Sequence, residues 1–171
     1  MTDAAIFVIF PLLMAVAAFS DMFSMTIPNR VSIILALAFV LIAPFSGLTL
    51  AAIGWHLAAG LLVFVVCFAL FALNAMGGGD AKILAASSIW FGFGTDLLAY
   101  MTLIGIFGGA LTALVLLLRS KDHVLVALPV QLPMSLLNPQ KGVPYGIAIG
   151  LAGLVSYPDS PLMRLAIQRL L

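Results

Sequence analysis

Long apolar runs separated by short polar clusters organise this chain. The runs are Ala4 to Ser20, Val31 to about Phe45, Leu50 to Leu73, Ile83 to Phe93, Leu97 to Leu118 and Val143 to Tyr157. Polar and apolar residues do not alternate within them, as they would in the strands of a membrane barrel. Helices are then the remaining way to satisfy the backbone in lipid. A bilayer core takes about 20 helical residues, and the fourth run needs residues from Asp80 onward to approach that length. The pattern predicts an all-α polytopic membrane protein with about six transmembrane helices, forming one domain over residues 1–171. The tail from Pro161 sets Leu162, Leu165, Leu170 and Leu171 beside Arg164 and Arg169, which predicts a short amphipathic helix at the interface. The first run imitates a cleavable leader through Ala15-Val16-Ala17, but Asp3 and the lack of Lys or Arg before it predict a retained span.

Composition supports the same reading. Apolar residues make up 64% of the 171 positions and charged residues 8%. A soluble domain carries about a quarter charged residues, so this chain cannot cover a water-facing surface. Net charge is +1 with no basic cluster, which excludes a nucleic-acid footprint. The single cysteine, Cys67, excludes an intrachain disulfide framework and a multi-cysteine zinc site. Neither a metal nor a cofactor is expected.

The charges that remain define an orientation. Arg30, Lys82, Arg119, Lys121 and Lys141 follow the first, third and fifth runs, whereas Arg164 and Arg169 lie on the other side. Lys and Arg concentrate on the cytoplasmic side of membrane proteins. The excess places Asp21, Asp80 and the long segment Arg119 to Lys141 in the cytoplasm, with both termini outside. Within that segment Val124 to Leu137 is apolar, but Pro129 and Pro133 would break a helix. It is expected to lie on or dip into the cytoplasmic face; a seventh crossing is the alternative.

All six acidic residues are Asp, and ionisable groups this scarce near spans are functional candidates. Asp21 ends the first run and Asp80 opens the fourth, at the same predicted face. Two carboxylates within a few ångströms cannot both ionise easily, so one keeps its proton. Such a pair offers a base for water and an acid for the leaving group. Helix capping by both aspartates is the competing explanation. Gly77-Gly78-Gly79 stands directly before Asp80, where glycine permits a tight turn and close approach of another chain. Pro28 and Asn29 form a rigid start to the second run. Asp96 is expected to cap a helix on the opposite side, Asp122 and His123 to be solvated, and His56 to be a hydrogen-bonded interior histidine.

Three motifs in order carry a resemblance. Asp21 is followed by Ile27-Pro28-Asn29; Gly77-x-Gly79-Asp80-x-Lys82 precedes the fourth run; and Pro144-Tyr145-Gly146 opens the sixth. This order resembles the type IV prepilin peptidases, membrane aspartyl proteases of the Gly-x-Gly-Asp group. The resemblance implies that Asp21 and Asp80 are the catalytic pair and that Gly77 and Gly79 shape the loop carrying the second. It places Lys82 one helical step inside, biasing the dyad's protonation or meeting a lipid phosphate. Pro28, Asn29, Pro144, Tyr145 and Gly146 belong to the active-site loops on the same basis. The implied substrates are prepilins and pseudopilins, cut at the cytoplasmic face of the bacterial inner membrane, with the bilayer as surroundings. Larger relatives carry a cytoplasmic domain with Cys-x-x-Cys pairs and N-methylate the product. This chain lacks those cysteines, so it looks like the compact, CpaA-like form serving Flp/Tad-type pili, and methylation is not expected. The basic run that many relatives carry before Ile-Pro-Asn is absent here, which bears on leader specificity rather than chemistry. A small proton-coupled transporter using Asp80 as a relay, or a non-catalytic subunit of a pilus or secretion assembly, are the rival functions.

Overall fold

A computed structural model describes residues 2–120 and 142–170. Its helices, in chain order, are α1 (Thr2–Ser24), α2 (Asn29–Ile42) with a 3-10 turn at Ala43–Phe45, α3 (Leu50–Ala72), α4 (Gly78–Ser88), α5 (Thr95–Ser120), α6 (Tyr145–Ser156) with a 3-10 turn at Tyr157–Asp159, and α7 (Pro161–Gln168). The expected all-helical membrane architecture is present, with no strand among the described residues.

The expected count of about six full spans is corrected. Among the described residues, only α1, α3 and α5, at 23, 23 and 26 residues, are long and apolar enough to cross a membrane. Helix α4 has 11 residues and α6 has 12. At 1.5 Å per residue they reach about 16–18 Å, against a hydrocarbon core of about 30 Å. The reason is their position. Helix α4 packs against α2, α3 and α6, and Ala81 and every residue from Ile83 to Ser88 are buried. Non-helical backbone at membrane depth is tolerated where protein surrounds it. The turn after α4 satisfies its own amides, with Trp90 and Gly92 N–H donating to the Ser87 and Ser88 carbonyls.

Helix α1 buries Ile6, Phe10, Met14, Ala17 and Asp21. Steps of four, four, three and four residues keep these on one face of a helix. Asp21 thus lies on the packed face, while Val8, Leu12, Val16, Phe19 and Phe23 are exposed on the rest of the helix. Helix α6 meets that packed face through glycines. A Cβ at Gly150 would lie 2.7 Å from that of Ala18, and one at Gly153 would lie 2.7 Å from Met14 Cε. Small residues let membrane helices approach backbone to backbone.

An aromatic cluster closes the end of the bundle away from Asp21. The Phe10 ring stacks on Tyr157 with centroids 4.1 Å apart and lies 5.4 Å from Trp90. The polar tips are satisfied: Tyr157 Oη donates to the Ile6 carbonyl at 2.8 Å, and Trp90 Nε1 to that of Leu35 at 3.1 Å. The charges at this end also pair. Arg164 meets Asp96 at 3.0 Å and Arg169 meets Asp3 at 3.1 Å, and Arg169 also donates to the Ser46 carbonyl. Arg164 and Arg169 are exposed while Leu162 and Ala166 are buried, as expected of an amphipathic tail. Asp96 is therefore an ion-pair partner of the tail, on the side predicted for it. His56 is an interior histidine as expected, its Nδ1 2.7 Å from the Ile89 carbonyl oxygen and its ring stacked on Phe39. The predictions for Asp122, His123 and Val124 to Leu137 fall outside the described residues.

Phe10→Ala removes the ring shared by Trp90, Phe91 and Tyr157, and should destabilise the bundle by about 3–5 kcal/mol. Leu12→Ala, on the exposed face, should cost well under half of that. Unfolding of the two variants in detergent checks the difference.

Candidate active site

Three helix ends converge at the opposite end of the bundle. Helix α1 stops at Ser24, and Met25 adopts a left-handed φ of 55°, a common way for a helix to end sharply. Ser20 Oγ donates to the Thr26 carbonyl at 2.8 Å, and Ser24 Oγ to the Ser20 carbonyl at 2.7 Å, holding the turn. The chain then delivers Ile27 inward, only 8% exposed, before Pro28 starts α2.

Ile27 wedges between two glycines of the predicted motifs. A Cβ on Gly79 would sit 3.5 Å from the Ile27 Cβ, and one on Gly146 would sit 2.8 Å from its Cδ1. The first turns of α4 and α6 are thus packed against the same side chain. Gly77 precedes α4 in extended conformation, and a Cβ there would lie 2.9 Å from Asp80 Oδ2. The glycine leaves room for the Asp80 carboxyl above the start of its own helix.

The two aspartates are in different situations. Asp21 is 5% exposed, and its Oδ2 accepts the backbone N–H of Gly146 at 2.7 Å. It answers one of the unpaired amides that every helix start leaves, but on α6 rather than on its own helix. The Asp80 carboxyl accepts no hydrogen bond from a described residue, so it does not cap α4 through its side chain. It lines cavities of about 320, 440 and 680 Å³. Asp21 shares the first two with it, together with Met25, Thr26 and Gly77. Gly142, Val143 and Pro144 close the second, and Tyr145 and Thr112 line the third. Among the described residues no group of His, Cys or Asp has metal-holding geometry.

Burial is the larger cause, and the negative charge of Asp21 the smaller, that pushes the Asp80 carboxyl up to about 7. Near neutral pH it therefore holds a proton for about half the time.

The structure brings Gly77, Gly79, Pro144 and Gly146 to the aspartates, and Asn29 lines the smallest shared cavity. Lys82 behaves differently. Its side chain is exposed and Nζ donates to Asn29 Oδ1 at 2.9 Å, which joins the second motif to the first on the flank of the site rather than inside it. Tyr145 packs its ring against Gly108 of α5. Met25, Thr26, Thr112, Gly142 and Val143 are site-lining residues outside the three motifs. Ile27 was visible as the first member of Ile-Pro-Asn, but nothing in its type distinguishes a wedge from a lipid-facing isoleucine.

The Asp80 shift has a consequence for stability. The folded chain keeps a proton on Asp80 that the unfolded chain, with its ordinary value of 3.8, has already released across the range from about 4 to about 7. A proton bound in excess by the folded state makes stability fall as pH rises through that window. Asp80→Asn abolishes this loss. It should raise the unfolding temperature in detergent relative to the parent at pH 8, with the gap closing towards pH 4.

A comparison with known families agrees with the motif order. Residues 8–118 match the type IV leader peptidase family, a span that includes both aspartates and the first two motifs. Neither a curated relative nor a solved structure matches the chain. The match covers well over half of the sequence and names a peptidase family, so this all-helical membrane chain belongs to the type IV leader peptidases.

Proposed function

We propose that the protein is a membrane aspartic endopeptidase that removes the leader of prepilins, with Asp21 and Asp80 as its catalytic pair. One observation carries the reading: carboxylates from α1 and α4 line common cavities at one end of the bundle, one bonded to a backbone amide and the other raised to about 7. A pair whose environments differ in this way supplies base and acid at neutral pH. The base takes a proton from water, whose oxygen attacks the scissile carbonyl carbon. The acid protonates the carbonyl oxygen, and the leaving amine takes a proton as the peptide bond breaks.

The finer points rest on charge and composition. Arg30, Lys82 and Arg119 lie at the aspartate end of the bundle and Arg164 and Arg169 at the other; Lys121 and Lys141 fall outside the described residues. That distribution favours a cytoplasmic site in the inner membrane. The order of the three motifs favours leader removal, in the manner of a Flp/Tad-type pilus system. A carrier would hold its ion near the bilayer midplane, whereas these aspartates lie at one end of the bundle.

Purified protein with a prepilin substrate tests the chemistry. Asp21→Asn and Asp80→Asn should each lower cleavage by ~10³-fold or more while still accumulating in the membrane. Cleavage at the parental rate by either variant removes the dyad. Reporters fused after residues 30 and 95 test the face: the first should report cytoplasm and the second the opposite side.

A further inference from the structure

The two aspartates are held unequally, and the inequality has a structural source outside both of them. Gly146 is the second residue of α6, and its N–H points at Asp21 Oδ2 from 2.7 Å. The preceding residues fix where that amide points. Pro144, buried, stands at the helix start, and Tyr145 seats its ring against Gly108 of α5. A Cβ at Gly146 would lie 2.8 Å from Asp21 Cβ, from its Oδ2 and from Ile27 Cδ1, so only glycine lets the amide come this close. Asp80 receives nothing comparable; its carboxyl accepts no hydrogen bond from a described residue and opens onto three cavities.

We infer that Gly146 is a positioning residue that fixes the asymmetry of the dyad, keeping the negative charge on Asp21 and the exchangeable proton on Asp80. The inference rests on the peptidase reading for its catalytic meaning, but not for the assignment of charge. An N–H donor favours the ionised form of a carboxylate, and the positive end of a helix adds to it. In the forward step Asp21 is then the base: it accepts a proton as the water oxygen bonds to the carbonyl carbon. Asp80 gives its proton to the carbonyl oxygen. When the C–N bond breaks, the proton on Asp21 passes to the leaving nitrogen, and the hydroxyl proton of the tetrahedral intermediate returns to Asp80. Both groups end as they began.

Among the described residues, other charges around Asp21 do not offer a competing explanation. On α4 these are Asp80 itself and Lys82, whose Nζ is engaged with Asn29. On α2 there is Arg30, which is exposed. On α6 there is Tyr145, turned to α5, and Arg119 of α5 donates to the Gly142 carbonyl at 3.0 Å.

Gly146→Ala tests the inference, with Gly153→Ala as its comparison. Gly153 lies on the same face of α6 two turns along, where a Cβ would meet the side chains of Met14 and Phe10 rather than backbone, far from the carboxylate. Gly146→Ala should lower kcat ~10- to 100-fold, leave KM within about threefold, and move the acid limb of the pH–kcat profile towards neutrality. Gly153→Ala should lower the yield or unfolding temperature but keep the parental kcat and profile in the folded fraction. Parental kinetics in Gly146→Ala, or the same profile shift in both variants, overturns the inference. Infrared titration of the dyad needs no activity and no folded glycine variant. Asp80→Asn should delete the protonated-carboxyl band seen near pH 6, and Asp21→Asn should retain it. The reverse pattern overturns the assignment of charge. A correct infrared pattern with unimpaired cleavage by both Asn variants leaves that assignment standing and removes the peptidase reading instead.

Discussion

The contact between the Asp21 carboxylate and the Gly146 amide ties together residues 125 positions apart, and much of the site's geometry follows from it. A carboxylate on the packed face of a membrane helix is costly unless it is partnered. The first amides of a helix are equally short of partners. One bond relieves both deficits, but it demands that α1 and α6 approach to backbone contact. The glycines at 146 and 150 meet that demand along the shared face. Once α6 lies there, Ile27 has a fixed wall to pack against, and through Gly79 it sets the start of α4 and hence the position of Asp80.

The bundle separates two kinds of polar chemistry by end. At the end holding both termini, charges are neutralised in pairs, Asp3 with Arg169 and Asp96 with Arg164, beneath a cluster of stacked aromatic rings. At the other end two carboxyl groups share cavities, and burial, with a smaller push from the Asp21 charge, raises Asp80. Paired charges and packed rings suit a structural anchor. Like charges brought together oppose folding and persist only because the rest of the bundle holds them. The short helices belong to this design. Helix α4 is surrounded by α2, α3 and α6, so it needs no length of its own to shield its ends from lipid, and Asp80 sits in its first turn, open to the cavities.

Membership of the type IV leader peptidases rests on residues 8–118, whereas the geometry of the site draws on residues beyond that span. Pro144, Tyr145 and Gly146 complete the surroundings of Asp21 from the far side of the undescribed segment. The dyad's asymmetry, with one oxygen pinned and one carboxyl open, therefore depends on a helix that the family match does not cover.

The sequence alone determined that the chain is helical and membrane-embedded, because whole runs without alternation and 8% charge leave no other solution in lipid. It also indicated which end of the bundle Asp21, Asp80, Lys82, Asp96 and Arg164 occupy, since the order of runs and loops alternates sides. The ordered motifs named the peptidase family and picked out both aspartates and Gly146. What it could not determine was which face of a helix is packed. In a run apolar all round, a 3.6-residue period carries no contrast between lipid and protein, so nothing marked Asp21 as facing inward or Ile27 as a wedge. The span count suffered for a related reason: apolar length reads as a crossing, although α4 is covered by neighbouring helices and α6, packed on α1 and α5, runs for only 12 residues. The resemblance sets Lys82 to bias the dyad or to meet a lipid phosphate; the structure turns it to Asn29, a partner 53 positions away that the meeting of α2 and α4 supplies. Which aspartate is held and which is left open was likewise a tertiary decision, made where the first turn of α6 meets the last turns of α1.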